Sequence, residues 1–165
     1  MKCLPNKYTF ISMKAYQLKF EQKIPLSLPE TWEFFSSPMN LARITPADMA
    51  FTVTSDQEDI RQMYPGMIIT YKVSPLLGLK LDWMTEITQV SEGKYFIDEQ
   101  RFGPYQFWHH QHHFKAVEGG TEMKDILTYG LPLGILGRMA NSIFVADKVQ
   151  QIFEFRKQKV IELFG

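Results

Sequence analysis

QFWHHQHHFKAVEGGTEMKDILTYG, residues 106–130, holds all four histidines of the chain and a glycine pair between two alternating runs. Side chains alternate across a strand, so Trp108, His110, His112 and Phe114 share one face of the first run, while His109 and His113 point the other way. Gly119-Gly120 reads as a two-residue hairpin loop, which fixes register. With that loop, Glu118 opposes Thr121, Phe114 opposes Asp125, His112 opposes Leu127 and His110 opposes Tyr129. The face shared with Leu127, Tyr129 and Leu131 is the inner one, and it needs an apolar partner.

Outward from this hairpin the chain keeps the same rhythm. Strands are expected over 12–24, 49–54, 67–74, 79–90, 95–102, 106–117 and 121–131, with turns at Pro65-Gly66, Pro75, Glu92-Gly93, Gly103-Pro104 and Gly119-Gly120. Turns this close together make an antiparallel meander. Between the first two strands, Ser27 and Glu30 have capping-box spacing and Pro29 suits a first turn, so a short helix runs to about Phe35. A second helical turn fits the proline-bounded 38–46.

From about Leu136 to Phe164 the period becomes helical, with Val145, Val149, Ile152, Phe153, Val160 and Leu163 forming the apolar stripe. The fold class is therefore α+β: a curved antiparallel sheet that covers its apolar face with one long C-terminal helix. Arg156 shares the spacing of that stripe and is expected to snorkel at its edge, although it could reach an interior carboxylate or a ligand acid. Residues 129–140, YGLPLGILGRMA, read as a flexible cavity gate or a tight buried connection.

Composition narrows the function classes. Eighteen Lys and Arg balance eighteen Asp and Glu, so no net field recommends nucleic acid or an anionic membrane. At 165 residues, without repeats or linkers, residues 1–165 read as one domain, with 1–11 a peripheral or poorly ordered segment. The N-terminus lacks a secretory signal and no run is long enough to span a bilayer, so a cytoplasmic location is expected. Cys3 is the one cysteine, which excludes an internal disulfide and a Cys-based zinc site. Thirteen Phe, seven Tyr and three Trp supply more flat apolar surface than a minimal core needs, as a ligand cavity or a heavily aromatic core would.

The inner face carries the chemistry. Leu79, Leu81, Trp83 and Ile87 choose it on their strand, and pairing across Glu92-Gly93 brings in Phe96, Asp98 and Gln100. If the Gly103-Pro104 connection is tight, Asp98 lies opposite His110 and Asp125 diagonally from His112. An interior Asp needs hydrogen-bond donors, and imidazoles supply them. The candidate ligand site is thus Asp98, Gln100, His110, His112, Asp125 and Tyr129 for polar atoms, with Trp83, Phe96, Trp108 and Phe114 for apolar contact.

Three other readings stay open. His110, His112, Asp98 and Asp125 could ligate zinc, but the spacing forms no closed motif, and neither metal nor cofactor is expected. The same cluster with Tyr129 could move protons as an acid/base catalyst, although no nucleophile elbow, catalytic cysteine or phosphate loop identifies a reaction. Asp–His pairs could also simply hold strands in register.

The order of elements, together with SSPMNLARITP, YPGMIITYKV, WMTEI, FIDEQRFGPYQFWHHQHHF, GGTEMKDILTYGLP and IFEFRK, resembles the START-like (SRPBCC) ligand-binding superfamily from about Ala15 onward. It looks closest to the bacterial polyketide cyclase/dehydrase-like and cell-division-inhibitor-like members. The resemblance implies a helix-grip fold, with the sheet wrapped around the C-terminal helix and a cavity between them. It implies an apolar or amphipathic ligand, such as a lipid, polyketide or isoprenoid-like compound. The superfamily also contains cyclases and hydrolases, and an interaction protein with a vestigial cavity remains a third possibility.

Overall fold

The structure of the protein, a computed structural model, describes residues 14–165 except 57, 59, 75–78 and the side chains of 141 and 142. The segment 1–11, the start of the first strand at 12 and the turn at Pro75 lie outside the described residues.

The chain runs β1 (Ala15–Ile24), α1 (Leu28–Phe35), α2 (Pro38–Leu41), two short 3-10 turns, β2 (Thr52–Val53), β3 (Ile68–Val73), β4 (Leu81–Ser91), β5 (Tyr95–Phe102), β6 (Phe107–Val117) and β7 (Gly120–Gly130). It ends with α3 (Ile135–Ala140), a π-helical stretch (Asn141–Val145) and α4 (Ala146–Phe164). Seven antiparallel strands are ordered β1-β7-β6-β5-β4-β3-β2, so the chain's first strand closes on its last. This is the helix-grip arrangement: α4 lies against the inner face, and Phe20 of β1 stacks on Phe153 of α4 with centroids 4.1 Å apart.

Local chemistry explains the elements. Ser27 caps α1, its hydroxyl accepting from the Glu30 amide while the Glu30 carboxylate accepts from the Ser27 amide. The helix packs Phe34 beneath the sheet with Ile24, Phe96, Phe114, Met123 and Val160, while Val145, Val149 and Phe153 of the final helical region cover Leu127 and Tyr129. Of the stripe expected on the long helix, Val145, Val149, Phe153 and Val160 are buried and Ile152 and Leu163 half-buried.

Three expectations need correction. First, the β6–β7 register is shifted by two residues: Val117 pairs with Gly120, Phe114 with Met123, His112 with Asp125, His110 with Leu127 and Trp108 with Tyr129. The loop is Glu118-Gly119, and Gly119 has the positive φ, 70°, that a tight turn demands. Gly120 serves another need, because a Cβ there would sit 2.1 Å from the Ile24 carbonyl oxygen as β1 passes. A two-residue shift preserves the face of every side chain, so the inner set survives while its partners change.

Second, the strand expected over 49–54 is only Thr52–Val53, because Ala47–Met49 forms a 3-10 turn that ends with Ala50 at φ 44°. Third, the β4–β5 loop spans Glu92 to Lys94, with Ser91 paired to Tyr95, and the ladder is irregular between Ile87 and Gln89. That irregularity brings Ile87 opposite Asp98. The β5–β6 register places Asp98 opposite His110, as the tight-turn reading expected.

Candidate functional site

Between the inner face of the sheet and α4 lies a cavity of about 630 Å³, within the range of small-molecule sites. Its walls follow from alternation. Trp83, Thr85 and Ile87 face it from β4, Trp108, His110 and His112 from β6, and Val149, Ile152, Phe153 and Arg156 from α4. Tyr105, in the β5–β6 connection, adds an aromatic edge against Trp83 and Trp108. Leu79, Leu133, Leu136 and Phe144 line the cavity yet are exposed by 64%, 76%, 65% and 40%, which marks an apolar rim. Within the 129–140 stretch, Tyr129, Gly130 and Gly137 are buried, while Pro132, Leu133, Ile135 and Leu136 are exposed, with Leu133 and Leu136 part of that rim.

A buried polar cluster sits in the wall of this apolar space. His110 Nε2 lies 3.1 Å from Asp125 Oδ1, and His112 Nε2 lies 2.9 Å from Asp98 Oδ2. His112 Nδ1 is 2.8 Å from Asp125 Oδ1 but off the line a hydrogen bond requires, so that contact is electrostatic. The remaining approach, His110 Nδ1 to Asp98 Oδ2, is 3.5 Å. Phe96 stacks on His112 at 4.1 Å and Phe153 meets the edge of His110 at 5.4 Å, which fixes both rings.

The two imidazoles consequently differ. Both nitrogens of His112 face carboxylates; burial disfavours its charge, but Asp125 and Asp98 beside the two nitrogens prevail and raise its pKa. His110 goes the other way, lowered by burial and by the His112 ring 3.8 Å from its own. Burial pushes the Asp125 and Asp98 carboxyls up, yet the imidazoles outweigh it and hold both below the usual carboxylate range, Asp125 furthest.

Arg156 reaches the cavity instead of snorkelling at the stripe's edge. Its guanidinium stacks over Phe153 at 5.1 Å, its Nε is sealed from solvent without a hydrogen-bond partner, and no carboxylate among the described residues lies within 4.0 Å. Burial lowers its pKa, opposed by the charges of Asp125 and Asp98. Nearby, the Tyr71 hydroxyl bonds to Thr85, and burial followed by the Asp98 charge pushes the phenol strongly up. Trp83 Nε1 lies beside that hydroxyl without the geometry of a hydrogen bond and is likewise buried and unpartnered.

Of the residues named from sequence, Trp83, Phe96, Asp98, Trp108, His110 and His112 line the cavity. Phe114 packs beneath it against Trp32 and Phe96, Asp125 lies behind the imidazoles, and Tyr129 is buried against Val145 and Val149. Gln100 is used elsewhere: its amide donates to the Tyr105 carbonyl at 2.6 Å and accepts from the Tyr105 amide at 3.2 Å, closing the β5–β6 turn. His109 takes Glu99 on the outer face at 2.9 Å. Sequence reasoning missed Thr85, Tyr71 and Tyr105. Thr85 shares the parity of Trp83 and Ile87, and Tyr71 that of Ile69 and Val73, so alternation could have found both; Tyr105 sits in a turn, where no period applies.

Asp98, His110 and His112 could each offer one ligand atom within 4.8 Å of the others, close enough for a shared metal ion. The chemistry of the set favours hydrogen bonding, because His112 Nε2 already meets Asp98 Oδ2 and the Arg156 cation acts on the same carboxylate.

The fold is the helix grip: a curved seven-stranded antiparallel sheet with short helices after its first strand and one long C-terminal helix. Solved structures that share it include protein CV1439 from Chromobacterium violaceum, 10% identical, covering 90% of this chain and 97% of that one with a TM-score of 0.68. Ara h 8.0201 is 14% identical, covering 90% and 99% with a TM-score of 0.57. The ginseng major latex-like protein 151 from Panax ginseng is 12% identical, covering 88% and 95% with a TM-score of 0.64. At these identities the likeness is one of fold. No family model matches the sequence, and no curated protein matches it significantly. Among the described residues no helix is long and apolar enough to cross a membrane.

Proposed function

We propose that the protein binds an apolar or amphipathic small molecule, such as a lipid, polyketide or isoprenoid-like compound, between its sheet and its C-terminal helix. The observation that carries this reading is the cavity of about 630 Å³, walled by aromatic and aliphatic side chains and broken by one buried polar cluster. A vestigial cavity would be filled by its own side chains, whereas this volume suits a ligand. Residues 1–165 act in this reading as one START-like domain, of the polyketide cyclase/dehydrase-like or cell-division-inhibitor-like kind, that needs no metal or cofactor. Asp98, His110 and His112 orient the polar part of the ligand, and Trp83, Phe96 and Trp108 bury its body.

Titration with N-phenyl-1-naphthylamine, a neutral apolar fluorophore, tests the reading. Saturable enhancement in the wild type, lost in a folded Ile152→Trp variant that fills the cavity, is the expected result. Equal binding by both proteins would refute it.

A catalytic reading has one specific observation in its favour: two cavity-lining imidazoles whose pKa values move apart, the arrangement that divides acid from base. His112→Gln separates the two. It keeps a hydrogen-bonding side chain but cannot titrate near neutrality, so a carrier loses about 1 kcal/mol of affinity without any turnover in either protein. A catalyst would instead turn over a substrate and lose about a hundredfold or more in rate while still binding it.

A further inference from the structure

We infer that the polar end of the ligand is an uncharged acceptor, a carbonyl oxygen, held by the Arg156 guanidinium and the Trp83 indole N–H. This rests on the ligand-binding reading above and names the chemistry of that same cavity. The two groups stand on opposite walls, Trp83 on β4 and Arg156 on α4, and the Tyr71 hydroxyl lies beside the indole and within the electrostatic reach of the guanidinium. Trp83 Nε1 and Arg156 Nε are buried N–H groups without a hydrogen-bond acceptor among the described residues. Trp83 is only 9% exposed. Leaving such donors unmatched is costly, and both can only donate, so the group that satisfies them must accept.

Charge decides which acceptor. Asp98 and Asp125 bring two negative charges to the cluster, Arg156 one positive, and His112 a second positive when it holds both protons between the carboxylates. With His110 uncharged, as its lowered pKa favours near neutrality, the cluster is neutral or negative. An anionic ligand gains Arg156 but meets Asp98, which the same guanidinium already stabilises, inside a medium of low dielectric. A cationic ligand meets Arg156 directly. An uncharged carbonyl oxygen takes both N–H groups without adding charge.

The position of the site also gives the ligand a direction. Phe144 at the rim, in the π-helical stretch, and Arg156 in α4 are twelve residues apart along one continuous helical path. A carbonyl on Arg156 leaves an aliphatic or aromatic body lying along Val149, Ile152 and Phe153 toward Leu133 and Leu136.

Competition against bound N-phenyl-1-naphthylamine with 2-decanone, decanoate and decylamine tests the inference. The expected order has 2-decanone displacing the fluorophore at least about tenfold better than either charged analogue, the size of one well-placed hydrogen bond at a charged group. Arg156→Met should weaken 2-decanone about tenfold, Arg156→Gln, which keeps a neutral donor, should restore most of that loss, and Trp83→Phe should weaken it severalfold. Thermal unfolding followed by circular dichroism checks that each variant is folded. If decanoate or decylamine competes as well as the ketone, or if folded Arg156→Met and Trp83→Phe bind 2-decanone like the wild type, the inference is wrong while the cavity reading stands. If the fluorophore itself does not bind the wild type, both fall together.

Discussion

His112 Nε2 lies 2.9 Å from Asp98 Oδ2, although the strand ladder pairs His112 with Phe96 and Asp98 with His110. The bond thus runs diagonally across β5 and β6, and His110 makes the complementary diagonal to Asp125 on β7 at 3.1 Å. Three adjacent strands are tied together at the level where the cavity meets the sheet. The cluster therefore serves structure as well as the site, and its titration should be visible in stability.

The signs are opposite for the two kinds of group. His112 has a folded pKa raised above its ordinary value of 6.5, so its contribution is full below about pH 6.5 and disappears as pH rises through the folded value. Asp98, Asp125 and His110 have lowered folded values, so their contributions are present above their unfolded values and disappear as pH falls through the folded ones. Chemical denaturation should show the wild type's advantage over His112→Gln shrinking as pH rises above the ordinary imidazole value of 6.5. For Asp125→Asn the deficit should shrink toward strong acid. A pH-independent deficit in both variants would mean that the cluster is held by packing alone.

Phe153 is 6% exposed, stacks on Phe20 and carries Arg156 over its ring. Phe153→Ala should destabilise the fold by about 3 kcal/mol, read as a lower denaturation midpoint. A midpoint equal to the wild type's would show that the helix does not clamp the sheet.

Gly120 combines a φ of 145° with the close passage of the Ile24 carbonyl. Gly120→Ala should cost more than about 1 kcal/mol, because the added Cβ must push β1 away from β7. Gly93→Ala, in the β4–β5 loop, is the informative control: it also has positive φ, 67°, but open space around the Cβ, so it should cost less. Equal costs would assign the effect at Gly120 to backbone conformation instead of the contact.

Alternation made the inner face of the sheet legible, including Trp83, His110 and His112, because parity survives an error in register. The register itself was not legible in Gly119-Gly120. A glycine pair signals a turn, but Gly120 answers to β1, a strand nearly a hundred residues away, and local sequence does not carry that contact. Asp98 opposite His110 and Asp125 close to His112 were expected, but the two-residue shift puts Asp125 directly opposite His112, and the hydrogen-bonded diagonals are His110–Asp125 and His112–Asp98. Arg156 was misjudged because helical spacing shows which stripe a residue belongs to, and long cations at a stripe usually turn outward. Its inward course becomes visible only when Asp98 and Asp125 appear across the cavity. Gln100 had the right parity and the wrong partner, since the bend at Gly103 brings the Tyr105 backbone within its reach.

Calorimetric titration of the wild-type protein with N-phenyl-1-naphthylamine at several temperatures tests the central claim most directly, because removal of apolar surface from water has a heat-capacity signature. Burial between the sheet and α4 predicts one site with a negative heat-capacity change on the order of −0.1 kcal/mol/K, from ~0.45 cal/K/mol per Å² of apolar surface. A heat-capacity change near zero, or several weak sites that persist in the Ile152→Trp variant, would contradict a ligand cavity between sheet and helix.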